Sequence, residues 1–266
     1  MSETIAVHID DSIATVTLQQ LTMKPAFFAE IGAAFRELAG NAELRAVIVC
    51  ASGKAFSYGL DLSAAFSDQG ELFRGGLAAE RTRLLAYIGE LQGAFNAIAE
   101  CPVPVIAVVH NWCIGGGLDL ISACDIRLAS RDAVFSLRET RIAIVADLGS
   151  LQRLPAIIGQ GHTRELAFTG KDIDAEHARR IGLINEIYDD RAASVQAAQA
   201  MAADIAANPP LTVRGVKNVL DYGADKSVAD GLAYVAAWNS AFLASEDLGE
   251  AAAAFMAKRS PRFKGR

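Results

Sequence analysis

Three carboxylic acids stand in apolar surroundings in the middle of the chain: Asp119, Glu139 and Asp147, separated by 20 and 8 residues. Acids in such company either satisfy local structure or carry a raised pKa and move protons. Each has an ordinary reading. Arg138 and Arg141 flank Glu139 and could pair with it. Asp147 follows the run Ile142-Ala-Ile-Val-Ala146 and precedes a helical pattern that it could cap. Asp119 lies just inside a helix and could complement its dipole. Upstream of Asp119 runs Gly115-Gly116-Gly117, between an apolar strand and that helix. Without Cβ atoms the backbone can approach a ligand closely, and a helix start offers unpaired N–H groups. The phosphate patterns GxGxxG and GxxxxGK[ST] are absent. Two readings stay open: donors for a developing oxyanion, or a turn for tight strand–helix packing.

The elements that must position these residues alternate between strand and helix. Thr4–Ile9 and Ile13–Leu18 predict a hairpin across Asp10-Asp11. Phe28, Ile31, Phe35 and Leu38 predict a helix from Pro25, and Ala46–Cys50 a strand buried on both faces. Ser52–Leu62 reads as a loop, Arg83–Ala99 as a helix, and Val105–Val109 as a second buried strand. After the glycines come a helix near Leu118, strands at Asp125–Ala129 and Val134–Leu137, and helical patterns from Gly149. Asp174 and Gly182 punctuate a short helix, Ala175–Ile181. From Arg191 to Lys258 the pattern is helical and Ala-rich, broken at Asn208-Pro209-Pro210 and near Gly223. The fold class is therefore α/β, with a core over residues 1–200 and a C-terminal α-helical region over 201–266.

Composition bounds the partners. The 266 residues carry 25 Lys plus Arg against 31 Asp plus Glu, a net charge of −6, which argues against nucleic acid or an anionic membrane. With 52% apolar and 21% charged residues the chain can bury a core, and no apolar run is long enough for membrane insertion. Cys50, Cys101, Cys113 and Cys124 have neither CxxC nor metal-ligand spacing, so reduced thiols and no metal are expected. The first ten residues do not read as a targeting segment and the final Lys-Gly-Arg is no peroxisomal address, so a cytoplasmic location is expected.

The strings Lys54-Ala-Phe-Ser-Tyr-Gly-Leu-Asp61, Pro104-Val-Ile-Ala-Val-Val-His110, Cys113-Ile-Gly-Gly-Gly-Leu-Asp-Leu120 and Ala123-Cys-Asp-Ile-Arg127 together resemble the crotonase superfamily, also called enoyl-CoA hydratase/isomerase. Leu151-Gln-Arg-Leu-Pro155, Ala175-Glu-His-Ala-Arg-Arg-Ile-Gly-Leu-Ile184 and Phe255-Met-Ala-Lys-Arg-Ser-Pro-Arg-Phe263 extend the likeness over nearly the whole chain. The resemblance implies a crotonase (ClpP-like) spiral of ββα units, and trimers or dimers of trimers joined through the C-terminal helices, which would also cover the site. The alternative is that these helices only cover their own core.

The resemblance also implies an acyl-CoA thioester substrate, with coenzyme A entering as part of it and no permanently bound cofactor. The thioester oxygen would lie between the N–H groups of Leu60 and Gly116. Coenzyme A would be met by Lys54, Phe56, Tyr58, Gly59, Asp61, Gly115 and, from the cationic tail, Lys258. Asp, Glu and Asp in this order are similar to the dienoyl-CoA isomerases. By that likeness Glu139 starts ionised and takes a proton from C2, Asp147 starts protonated and gives one to C6, and Asp119 tunes Glu139. A 2-trans-enoyl-CoA hydratase of fatty-acid β-oxidation and a non-catalytic CoA-binding homologue are the alternatives.

Overall fold

The computed structural model describes residues 3–73 and 75–266. β1 (Ile5–Asp10) and β2 (Ile13–Leu18) form the expected hairpin, with Asp11 in the left-handed region at the turn (φ 50°). Then come α1 (Pro25–Ala39), β3 (Ala46–Ala51), α2 (Leu62–Phe73), α3 (Ala78–Ala99), β4 (Val105–Val109) and β5 (Trp112–Ile114). α4 (Gly116–Ser122) leads to β6 (Ile126–Ser130), β7 (Val134–Ser136) and a 3-10 turn at Glu139–Ile142. α5 (Ser150–Thr169, broken at Gly159), β8 (Asp172–Asp174), α6 (Ala175–Arg180) and β9 (Glu186–Tyr188) complete the core with α7 (Arg191–Ala206). α8 (Pro210–Gly223), α9 (Val228–Phe242) and α10 (Glu246–Ala257) form the tail.

Six strands make one sheet in the order β1-β2-β3-β4-β6-β9, parallel except for the hairpin. A smaller sheet, β5-β7-β8, stands beside it. Period-two alternation divides the large sheet's side chains between two layers. Val47, Val49, Val105, Ala107 and Val109 join Phe28, Phe35, Phe95 and Leu120 in the main core. Ile48, Cys50, Ile106 and Val108 face the other way, onto Ala198 and Ala202 of α7. Small residues there let α7 lie close against the sheet. All four cysteines are free and buried, as expected. Among the described residues no helix is long and apolar enough to cross a membrane.

The tail is fastened at a few points. Lys217 of α8, 8% exposed, pairs with Asp125 at 2.7 Å, and Asp125 also accepts the Val105 N–H at 2.7 Å. Arg214 donates to the carbonyls of Asn41, Ala42 and Leu44. α9 rests on α8 where Gly215 leaves room for Trp238; a Cβ there would lie 2.5 Å from its Nε1. No residue of α9 is buried, and its main contact is with α8. Residues 260–266 are not a loose end either. They fold back on α10, where the Asp247 carboxylate, 3% exposed, accepts the N–H groups of Lys264 (2.7 Å) and Gly265 (2.8 Å). Arg259 pairs with Glu250 and Arg266 with Glu246, so two of the tail's cations are engaged within the chain.

Removing the two charge-assisted bonds at Asp247 should cost about 3 kcal/mol locally. Asp247→Ala should therefore release residues 260–266, read as faster trypsin cleavage after Arg262 and Lys264 while the core melts within a few degrees of the parent.

Candidate active site

The loop from β3 to α2 is held against two neighbouring segments. His110 Nε2 meets the Gly53 carbonyl at 2.9 Å, and Arg191 donates to the Ser52 carbonyl at 3.1 Å. Phe56 and Ser57 donate to the carbonyls of His110 and Trp112, and Ile114 donates back to Ser57. On the other side Tyr58 donates to Leu21, Met23 to Gly59, and Asp61 to Met23. This last pair of bonds is a parallel bridge centred on Leu60. In such a bridge the central residue's own N–H points away from its partner. Leu60 N–H is thus turned outward, and among the described residues it donates to no protein group.

The same is true of Gly116, the first residue of α4, whose N–H is one of the orphan donors of a helix start. The two donors belong to adjoining stretches of backbone. A Cβ on Gly116 would lie 3.6 Å from Leu60 N, and one on Gly59 would lie 3.2 Å from Gly116 N and 2.8 Å from the Ile114 carbonyl. Gly59 is moreover left-handed (φ 83°), so a side chain there is excluded twice over. Two unsatisfied N–H groups on backbone this close can receive a developing oxyanion.

Glu139 opens the 3-10 turn, and its carboxylate lies over the glycine run: a Cβ on Gly115 would sit 2.9 Å from Glu139 Oε1. Its Oε2 is buried without a partner. Burial, then the charge of Asp119, raises its pKa to about 7. Expected to begin ionised, this carboxyl is held close to neutrality, because the site desolvates it beside two other acids. The anticipated ion pair is absent. Arg138 turns to Asp172 at 2.5 Å and lies over the Trp112 ring, and Arg141 turns to the Thr169 carbonyl.

Asp119, 1% exposed, is raised to about 6 by burial against the pull of its bond to Ser150. Its Oδ1 accepts the Ser150 N–H at 2.7 Å, so the acid on α4 caps α5 across 31 residues of chain. Asp147 therefore does not cap that helix; Gly149 occupies the cap position. Burial raises the Asp147 carboxyl, and its charge in turn raises both Asp119 and Glu139, so the three acids form one electrostatic group. Gln92 Nε2 donates to the Asp147 carbonyl at 2.7 Å. The Arg153 guanidinium lies against Gly149, reaching Asn96 at 2.6 Å and Leu148 O at 3.5 Å, and draws Asp119 downward. Sequence reasoning missed Gln92, Ser150 and Arg153, because no spacing along the chain marks the distant groups they meet.

The remaining expected contacts divide. Lys54 is exposed and Tyr58 half-buried on the loop. Phe56 is fully buried in the main core, so its side chain is closed to a ligand. Asp61 accepts from Thr22 Oγ1 (2.9 Å) and Ala64 N (3.0 Å), which hold its carboxyl below its usual range. Its carboxylate anchors the loop and starts α2 instead of facing a substrate. Lys258 is exposed beyond the end of α10, and among the described residues no hydrogen bond or ion pair joins it to the Lys54 loop. No cluster of three potential metal ligands occurs among the described residues.

Comparison with known proteins gives a consistent result. The family model described as enoyl-CoA hydratase/isomerase matches residues 8–266. The chain is 41% identical over 250 residues to a mitochondrial Δ3,5-Δ2,4-dienoyl-CoA isomerase of Dictyostelium discoideum, covering 92% of this chain and 84% of that one. It is 42% identical to the peroxisomal protein of that name from Arabidopsis thaliana, over 89% of this chain and 86% of the relative. Among solved structures, a putative enoyl-CoA hydratase from Streptomyces coelicolor A3(2) superposes with a TM-score of 0.91 at 29% identity, covering 100% and 96% of the two chains. The Bacillus anthracis enoyl-CoA hydratase gives 0.89 at 28%, covering 99% and 100%.

The raised acids have a cost in stability. Glu139 binds its proton more tightly folded (about 7) than unfolded (4.5), so the native state is fully favoured at low pH and loses stability as pH climbs through that window. At 1.36 kcal/mol per pK unit the loss has a ceiling of roughly 3 kcal/mol above pH 7. Glu139→Gln should accordingly raise Tm by several degrees at pH 8 and change it little at pH 4.5. An equal gain at both pH values would assign the effect to packing.

Proposed function

The chain belongs to the enoyl-CoA hydratase/isomerase family, and from that premise we propose that it is a Δ3,5-Δ2,4-dienoyl-CoA isomerase. The observation that carries the reading is the meeting of a buried Asp119 and half-buried Glu139 and Asp147, all three with raised pKa, with two unpaired backbone N–H groups. The substrate is an acyl-CoA thioester whose carbonyl oxygen accepts from Leu60 and Gly116. Glu139, over Gly115, takes a proton from C2 of a 3,5-dienoyl chain. The resulting dienolate spreads its negative charge from the thioester oxygen to C6, and the two N–H groups stabilise the oxygen end. Asp147 then gives a proton to C6, leaving double bonds at C2 and C4. A base with pKa near 7 combines availability with basicity, and burial shifts Asp147 toward the protonated form from which it must donate.

Asp119 supports isomerisation over hydration. Two carboxylates that share one water need free oxygens, whereas Asp119 has one oxygen committed to Ser150 N–H. Its remaining influence on Glu139 is charge. Lys54, Tyr58, Gly59 and Gly115 lie along the same loop and glycine run and are proposed to border coenzyme A.

We further propose assembly into a homotrimer or dimer of trimers through residues 201–266. Val228, Leu232, Phe242, Leu243, Phe255 and Met256 are exposed on helices with little purchase on their own core. Large apolar side chains left exposed together on one region mark a protein–protein contact surface. On this reading Lys258 reaches a CoA phosphate, and the tail covers a site, across a subunit boundary. Light scattering at micromolar protein should give a mass of three or six chains, and a monomer mass would refute the assembly.

The activity is tested at Asp147. Asp147→Asn keeps the shape of the side chain and the two N–H donors but removes the proton for C6. Isomerase kcat should fall roughly 10²–10⁴-fold, the usual worth of a general acid, while exchange of the C2 proton with solvent deuterium continues. A hydratase would keep water addition to a 2-enoyl-CoA within a few-fold in the same variant. Full isomerase activity in Asp147→Asn would remove this acid from the mechanism.

A further inference from the structure

The aim of the Leu60 N–H depends on a glycine, the residue type with the widest choice of backbone angles. Gly59 stands between two peptide planes. The plane after it carries the Gly59 carbonyl and the Leu60 N–H, which point in opposite directions across a trans peptide. The Met23 N–H holds that carbonyl at 2.8 Å and so turns the Leu60 N–H away from Met23. The plane before it carries the Gly59 N–H, and here the partner is a side chain: Ser57 Oγ accepts it at 3.0 Å. With both planes clamped, Gly59 keeps its left-handed φ of 83°. Without the Ser57 hydroxyl one plane is free to turn, and the Leu60 N–H turns with the residue that joins them.

Ser57 also adjoins the element that carries the second donor. Its N–H donates to the Trp112 carbonyl at 2.9 Å and its carbonyl accepts from the Ile114 N–H at 3.0 Å, so its backbone is paired across Cys113. Its side chain lies where the next turn begins. A Cβ on Gly117, the residue after the Gly116 donor, would sit 3.0 Å from Ser57 Cβ and 3.5 Å from the Ser57 carbonyl oxygen. Ser57 is 1% exposed, so water cannot take the place of its hydroxyl. One small side chain is thus bonded to the residue before Leu60 and packed on the residue after Gly116. Alanine would fill the same space but accept nothing from Gly59.

We propose that Ser57 is a positioning residue for carbonyl activation: by holding the Gly59 N–H against the start of α4, it sets the direction of the Leu60 N–H and its spacing from the Gly116 N–H. Buried as it is, Ser57 acts through Gly59 and not on the substrate. The inference rests on the reading of Leu60 and Gly116 as donors to the thioester oxygen.

The test reads the carbonyl itself. Two well-aimed donors polarise a thioester C=O and lower its stretching frequency. Octanoyl-CoA labelled with ¹³C at the thioester carbon, which has no double bond to move, should show that lowering when bound to the parent. Ser57→Ala should lose a clear part of it while Tm stays within a few degrees. Loss of one oxyanion donor costs about 10²–10³-fold in kcat, and a misaimed one should cost part of that. Isomerase kcat should therefore fall roughly 10–100-fold with KM within about twofold. Exchange of the C2 proton should fall with it, in contrast to Asp147→Asn, because enolate formation is the step affected. Ser57→Cys keeps a weaker acceptor. It should lie between the other two in frequency and in kcat, and it serves the same test should the alanine variant not fold. A parental carbonyl frequency in the variants would overturn the inference, as would a rise in KM at unchanged kcat. The underlying reading fails differently: if Leu60 and Gly116 do not receive the oxygen, the parent itself shows no lowering.

Discussion

The active-site architecture depends on backbone lying against backbone without an intervening side chain. Gly59 comes so near the Ile114 carbonyl and Gly116 N that a single Cβ would force the segments apart. That approach is fixed from both sides, by the bridge from Met23 to Leu60 and the bridge from Ser57 to Cys113. The strands behind it are fixed by the double-sided burial of β3 and β4. The large sheet thus holds two loops at a separation that only glycine permits. Both orphan donors follow from that distance and from the direction in which a parallel bridge turns its central residue.

Around this frame the acids carry an electrostatic load. Three carboxyls share a desolvated space, and within it Asp147 raises the proton affinity of both others and Asp119 that of Glu139. Asp119 reduces the load in two ways, by accepting the first N–H of α5 and by its interaction with Arg153. The same bond ties the helix after the glycines to the helix after Asp147. Two of the three acids therefore keep a fixed relation even though 28 residues separate them in the chain. Stability is surrendered here for reactivity, a common trade in sites that must hold charge away from water.

Much of this was legible in the residues. Continuous apolar runs marked β3 and β4, and Val105–Val109 has the bounds expected of it. Asp174 caps α6 through the His177 N–H, and Gly182 follows with a positive φ, as their types suggested. The glycine run and the three acids were visible as a constellation because few residues of those types stand in apolar surroundings. Other features were hidden for physical reasons. β5, β8 and β9 are three residues long, too short for a period to register. α3 begins at Ala78, five residues before its apolar pattern does, since its first turns face solvent. The local alternatives for Glu139 and Asp147 do not hold for one reason: their partners would have to be sequence neighbours, whereas the fold supplies Asp172 to Arg138 and Asp119 to α5. Phe56 and Asp61 sit within a binding-loop string yet serve its packing and its anchoring.

The division of labour at the glycines bears on how such a protein can diversify. Carbonyl activation is performed by main-chain N–H groups, which no point substitution can delete without altering the path of the chain. The acids that would choose the reaction are ordinary side chains on three separate elements, each replaceable by a single codon change. Heritable variation can therefore rewrite where protons go while the capacity to stabilise an enolate passes intact from ancestor to descendant.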